Sequence, residues 1–78
     1  LVLQKHETME KLDLHGVLHV NVEIEVKNFL FLNEPRFPVK IITGKSDKMS
    51  DLVVDILKKN NYTYEIPAHN SGEIIIYY

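Results

Sequence analysis

The sequence predicts an α/β fold: a two-layer sandwich in the order β-α-β-α-β-β, with a four-stranded mixed sheet and two helices on one face. Three observations predict it. Short runs with period-two alternation are interleaved with longer runs at helical spacing. Each of the first two strands is followed by a helix, the crossover that parallel strands require. The last two strands are separated only by the short Pro67–Gly72 segment, so they pair antiparallel, and one strand of the four runs against the other three.

Residues 1–10 read as an N-terminal arm whose apolar anchors are Leu1, Val2, Leu3 and Met9, leaving residues 11–78 as the domain. Lys11–His15 alternates, with Leu12 and Leu14 to one side and Asp13 and His15 to the other, and stops at Gly16. Residues 17–33 carry two conflicting signals. Val20, Val22, Ile24 and Val26 alternate with polar residues and are all β-branched, which favours a strand. The run is long for a strand in so small a domain. Leu18, Val22, Val26, Phe29 and Leu30 share one helical face, and Glu23 precedes Lys27 at i, i+4. The helix prevails, and it leaves Val20, Ile24 and Phe31 as a second apolar stripe that needs a cover. The arm is the expected cover, with a monomer favoured over a homodimer formed through the Val20/Ile24/Phe31 stripe.

Asn33-Glu34-Pro35-Arg36 breaks the chain. Val39–Thr43 is a strand that Pro38 can precede, and Gly44 turns out of it. Ser46 or Asp47 caps the next helix, in which Met49, Leu52, Val53, Ile56 and Leu57 form a single apolar face. Lys58 and Lys59 suit its C-terminal dipole, and Asn60-Asn61 ends it. Tyr62–Ile66 and Glu73–Tyr78 are the last strands. The unbroken Ile74-Ile75-Ile76 marks the final one as central and covered on part of both faces.

Composition narrows the function classes. With 78 residues, of which 45% are hydrophobic, the chain makes one small domain. It has no cysteine, which removes disulfides, Cys-based zinc sites and thiol nucleophiles. The chain opens on Leu1 rather than Met, as a chain trimmed from a longer one does, and shows no signal-peptide pattern or membrane-spanning run. A soluble cytoplasmic protein is expected. Nine Lys and Arg against 11 Asp and Glu give a net charge of −2, so phosphates would be held by a local site rather than by a bulk field.

Ligands of open α/β sheets collect at the carboxyl ends of parallel strands. Leu12-Asp13-Leu14-His15-Gly16 and Thr43-Gly44-Lys45-Ser46 both end strands there, and the hairpin loop brings His69, Asn70 and Ser71 to the same rim. Asp13 and His15 at i, i+2 form a pair in which a carboxylate could orient and charge an imidazole for acid/base attack on a phosphodiester. The plainer reading is a solvated strand face. Gly44 lets a phosphate approach the backbone at a helix start, with Lys45 and Lys48 as point charges. The plainer reading there is a capped helix after an ordinary turn, with Asp47 already supplying the negative charge. The G-x-x-x-x-G-K-[ST] phosphate loop is absent.

These two motifs resemble those of the small MutS-related (Smr) domain family. Leu12–Gly16 matches its L-D-L-H-G motif, and Thr43-Gly44-Lys45 matches its T-G-x-G motif, with Ser46 where the family usually has Gly. Asn70-Ser71-Gly72-Glu73-Ile74-Ile75 is similar to the lead into its last strand, so the resemblance covers residues 11–78. It implies a stand-alone nucleic-acid-binding domain that acts as an endonuclease on RNA or DNA. The alternatives are a non-catalytic RNA- or DNA-binding module and a protein-interaction domain. The fold order also resembles the C-terminal domain of a bacterial translation initiation factor, which binds ribosomal RNA without cutting it.

The expected catalytic pair is Asp13 and His15. The expected phosphate-binding set is Gly16, Thr43, Gly44, Lys45, Ser46, Lys48, His69 and Asn70. The sequence requires no cofactor and has no His/Asp/Glu set at metal-ligand spacing on one element. A hydrolytic Mg²⁺ held by Asp13 and phosphate oxygens is compatible with the site, because Mg²⁺ often has few protein ligands. His6 and His19 read as ordinary surface residues. Tyr62, Tyr64, Tyr77 and Tyr78 are candidates for base stacking, against a plainer role packing in or beside the sheet.

Overall fold

A computed structural model describes residues 9–78. The elements are β1 (Lys11–Asp13), α1 (His19–Asn33), a 3-10 turn (Glu34–Arg36), β2 (Val39–Ile42), α2 (Asp47–Lys59), β3 (Tyr64–Glu65) and β4 (Glu73–Ile76). The sheet order is β1-β2-β4-β3. β1 and β2 are parallel, and β4 runs antiparallel to both β2 and β3. The fold is the expected two-layer α/β arrangement with β4 central.

Period two in the strands builds the core. Val39, Ile41, Ile74 and Ile76 point to the helix side and are fully buried, together with Val22, Val26 and Leu30 of α1 and Val53 and Leu57 of α2. The residues between them, Lys40, Ile42, Glu73 and Ile75, are only half-buried on the open face. There Lys40 Nζ lies 3.4 Å from a Glu73 carboxylate oxygen. Ile75 is the member of the isoleucine run that faces this open side, which explains the missing alternation.

α1 is a helix despite its β-branched residues. Val22, Val26 and Leu30 at i, i+4, i+8 supply a buried stripe, while the propensity cost of a Val or Ile is under about 0.7 kcal/mol each. Lys27 Nζ and Glu23 Oε2 are 3.2 Å apart, as the spacing predicts. One expected member of the packed face is corrected. Leu18 is 66% exposed, because it is the extended cap residue before the helix (φ −67°, ψ 142°) and so does not continue the helical face. Val20, Ile24 and Phe31 are 84%, 60% and 75% exposed. The arm expected to cover them rests on Leu1, Val2 and Leu3, which lie outside the described residues. Within them, the Glu10 carbonyl accepts a hydrogen bond from Lys40 N–H at 3.0 Å, extending the β1 edge by one pairing.

α2 starts where a cap is available. Ser46 Oγ accepts from Met49 N–H at 3.1 Å, so Ser46 rather than Asp47 is the cap. At the other end Asn60 caps the helix, and Asn61 takes a left-handed φ of 62°. The strands are shorter than expected at their ends. β1 stops at Asp13 and β2 at Ile42, and β4 stops at Ile76. β3 is only Tyr64–Glu65, although Thr63 exchanges backbone hydrogen bonds with Tyr77 and Tyr78.

Candidate nucleic-acid interface

The rim is assembled by backbone hydrogen bonds between its three segments. Leu14 N–H donates to Ile42 C=O at 3.0 Å, laying the end of β1 against the end of β2. Thr43 N–H and Gly44 N–H both donate to Gly72 C=O, at 2.8 and 3.1 Å, laying the end of β2 against the β3–β4 loop. The three segments singled out in the sequence therefore meet along one sheet edge, with His15, Gly16, Gly44, Lys45, Ser46, Lys48, His69 and Asn70 all exposed.

The first segment differs in detail from its expected geometry. β1 ends at Asp13, so His15 lies in the following turn and not on the strand. Asp13 Oδ1 accepts from the backbone N–H of His15 at 2.9 Å. The carboxylate thus clamps the turn through the main chain, and this is the hydrogen bond it makes with His15. Val17 N–H donates to Leu14 C=O at 3.0 Å, and Gly16 has φ +81°. That φ is the left-handed conformation a side chain would strain. Leu14 is buried between the two polar residues and anchors the turn to the core.

The second segment turns at Gly44, with φ +69°. Thr43 is buried, with its hydroxyl 3.5 Å from the Gly44 carbonyl. It supports the turn from below, and Gly44, Lys45 and Ser46 form the solvent surface. Ser46 Oγ is occupied as an acceptor by its own helix, although the hydroxyl proton remains able to donate. Among the described residues neither Lys45 nor Lys48 takes part in an ion pair, and Asp13 and Asp47 are the acidic groups on the same two turns.

The third segment contains the residue the sequence reading left out. Gly72 packs so closely under the β2 turn that a Cβ built there would lie 3.0 Å from the Gly44 carbonyl oxygen and 3.3 Å from Asn70 Oδ1. Asn70 Oδ1 also accepts from Gly72 N–H at 3.0 Å, so Asn70 holds the loop that holds the turn. Gly72 next to an Asn-Ser turn was the available signal, but its contact with Gly44 joins segments 28 positions apart.

The tyrosines are not at this rim. Tyr62 precedes β3, Tyr64 opens it, and Tyr77 and Tyr78 follow β4, at the end of the sheet away from Gly72. The Tyr62 and Phe37 ring centroids are 6.0 Å apart, and Tyr62 OH donates to a Glu34 carboxylate oxygen at 3.1 Å. Burial, and then this hydrogen bond, push the Tyr62 phenol above its ordinary pKa. Tyr77 OH donates to Glu65 at 2.7 Å. Base stacking at the rim by any of the four is therefore set aside.

Among the described residues no group of three or more His, Asp or Glu side chains is placed to hold a metal ion. No helix there is long and apolar enough to cross a membrane. No known family model, curated protein or solved structure matches the chain.

Proposed function

We propose that this chain is a cytoplasmic nucleic-acid-binding domain of Smr-like type, and that it acts as an endonuclease on RNA or DNA. The observation that carries the reading is the joining of Asp13–Gly16, Thr43–Ser46 and Asn70–Gly72 along one edge by the Ile42 and Gly72 carbonyls. A phosphodiester backbone lying along that edge meets two glycine turns, the start of α2, and the cations Lys45 and Lys48. Lys45 and Lys48 attract the phosphate, and the two left-handed glycines keep side chains out of its path.

In the cleavage reaction His15 is the general base. Its imidazole takes a proton from the attacking oxygen as that oxygen adds to phosphorus, and the bond to the leaving oxygen breaks as that oxygen takes a proton from water. Asp13 is a positioning residue, because its carboxylate fixes the turn that carries His15. Asp13 is the residue that would hold a Mg²⁺ ion, which would supply charge to neutralise the phosphate under attack.

A second reading has its own support. The Asp13 carboxylate is engaged by the His15 main chain and not by the imidazole, which suits a turn built to bind without cutting. One experiment separates the two. The protein is incubated with end-labelled single- and double-stranded RNA and DNA, in Mg²⁺ or chelator, alongside His15→Ala and Asp13→Asn. The endonuclease reading expects cleavage that His15→Ala abolishes with binding retained. Binding without cleavage by the wild type leaves the non-catalytic module, and cleavage unaffected by His15→Ala refutes the assignment of the base.

A further inference from the structure

We infer that α1 forms a twofold homodimer in which two copies of the helix pack antiparallel through their outward apolar stripe. A helix that is apolar on opposite faces belongs between two layers, and the described residues, 9–78, supply only one of them. Val22, Val26 and Leu30 fill the inner side and are fully buried. At about 100° per residue, Val20, Ile24 and Phe31 fall within about 40° of one another on the outer side. They are 84%, 60% and 75% exposed. Contiguous apolar surface of this kind marks an interaction site on a small domain.

The occupant follows from the charges beside the stripe. Glu23 and Lys27 lie on the same flank, with the acid nearer the helix N-terminus, and pair within the helix at 3.2 Å. A twofold axis perpendicular to two antiparallel helices keeps like flanks together and reverses their direction. Val20 of one copy then meets Phe31 of the other, Ile24 meets the aliphatic stem of Lys27, and Glu23 faces Lys27 twice across the axis. The face is self-complementary in that arrangement. A parallel pair would set the charged flank against the Asn21 and Asn28 flank and lose both ion pairs. The α1 seam, 15 residues and about 22 Å long, is short against a standard interface of about 800 Å² per partner. The dimer is therefore expected to be weak, with dissociation in the micromolar range.

The test uses the full 78-residue chain. Sedimentation velocity from low-micromolar to millimolar concentration should show a reversible monomer–dimer equilibrium. Ile24→Glu, at an exposed position where the fold does not depend on the side chain, should raise the dissociation constant by about 100-fold, with an unchanged circular dichroism spectrum. Glu23→Lys and Lys27→Glu each lose the internal pair, and each alone should dimerise poorly. Mixed in equal amounts they should form a heterodimer tighter than either homodimer, because every cross-axis contact is then Lys against Glu. A wild type that stays monomeric to millimolar concentration overturns the inference, as does a dimer that Ile24→Glu leaves intact. A mixture that associates no better than its components overturns the antiparallel arrangement.

Discussion

Replacing Gly72 with alanine tests whether the rim is a built structure or a chance meeting of loops. The added Cβ would lie 3.0 Å from the Gly44 carbonyl oxygen, with 3.3 Å to Asn70 Oδ1. The nearer obstacle is backbone, so the loop itself must move. That movement pulls the Gly72 carbonyl away from Thr43 N–H and Gly44 N–H, now at 2.8 and 3.1 Å. Overpacking of this kind costs about 1–3 kcal/mol. Stiffening of the unfolded chain returns about 0.4–1 kcal/mol, because the φ of Gly72 is outside the left-handed region. A net loss of about 1–2 kcal/mol is expected, or a melting temperature lower by roughly 4–15 °C in a domain this small. Gly16→Ala is the comparison: its Cβ would meet nothing within 4 Å, so only the strain of its φ of +81° operates. Thermal and urea denaturation followed by circular dichroism, with nucleic-acid affinity measured on the same samples, give the answer. A Gly72→Ala protein as stable as the wild type, with undiminished affinity, would refute the coupling of the hairpin loop to the β2 turn.

Two further outcomes follow from the geometry. Lys45→Glu, at an exposed turn position, should weaken nucleic-acid binding and flatten the slope of log affinity against log salt by about one phosphate contact; titrations at several salt concentrations check both. Tyr62 is raised above its ordinary pKa by burial and by donation to Glu34, so the stability it adds is fully present below about pH 10 and is lost as pH rises through the higher folded-state value. Urea denaturation between neutral and strongly alkaline pH should therefore show a wild-type advantage over Tyr62→Phe that shrinks at the alkaline end, and an advantage that grows with pH would contradict the assigned cause.

The element order was legible because each element announces itself locally. Met49, Val53, Ile56 and Leu57 are one helical stripe and are buried as one. Ser46 caps that helix for the reason Ser generally does. α1 was legible only through the competition between two periods, and the buried Val22, Val26 and Leu30 show which period the core used. Its boundary was not legible, because a cap residue such as Leu18 has the hydrophobicity of the helix without its dihedral angles. At the rim, the meeting of three segments could be read from topology alone. The role of the Asp13 carboxylate could not, because spacing says which residues are near and not which donor an oxygen accepts. Gly72 escaped for a related reason: its importance lies in a backbone 28 positions earlier, and local pattern carries no information about that approach.

The proposed nucleic-acid interface is the edge formed by Asp13–Gly16, Thr43–Lys48 and His69–Gly72. Backbone amide shifts of isotopically labelled protein, followed by NMR during titration with a short single-stranded or duplex oligonucleotide, test it most directly. Perturbations should concentrate at His15, Gly16, Gly44, Lys45, Ser46, Lys48 and Asn70 and diminish with added salt. Perturbations centred instead on Tyr62, Tyr77 and Tyr78 at the opposite end of the sheet, or none with any oligonucleotide at low salt, would contradict it.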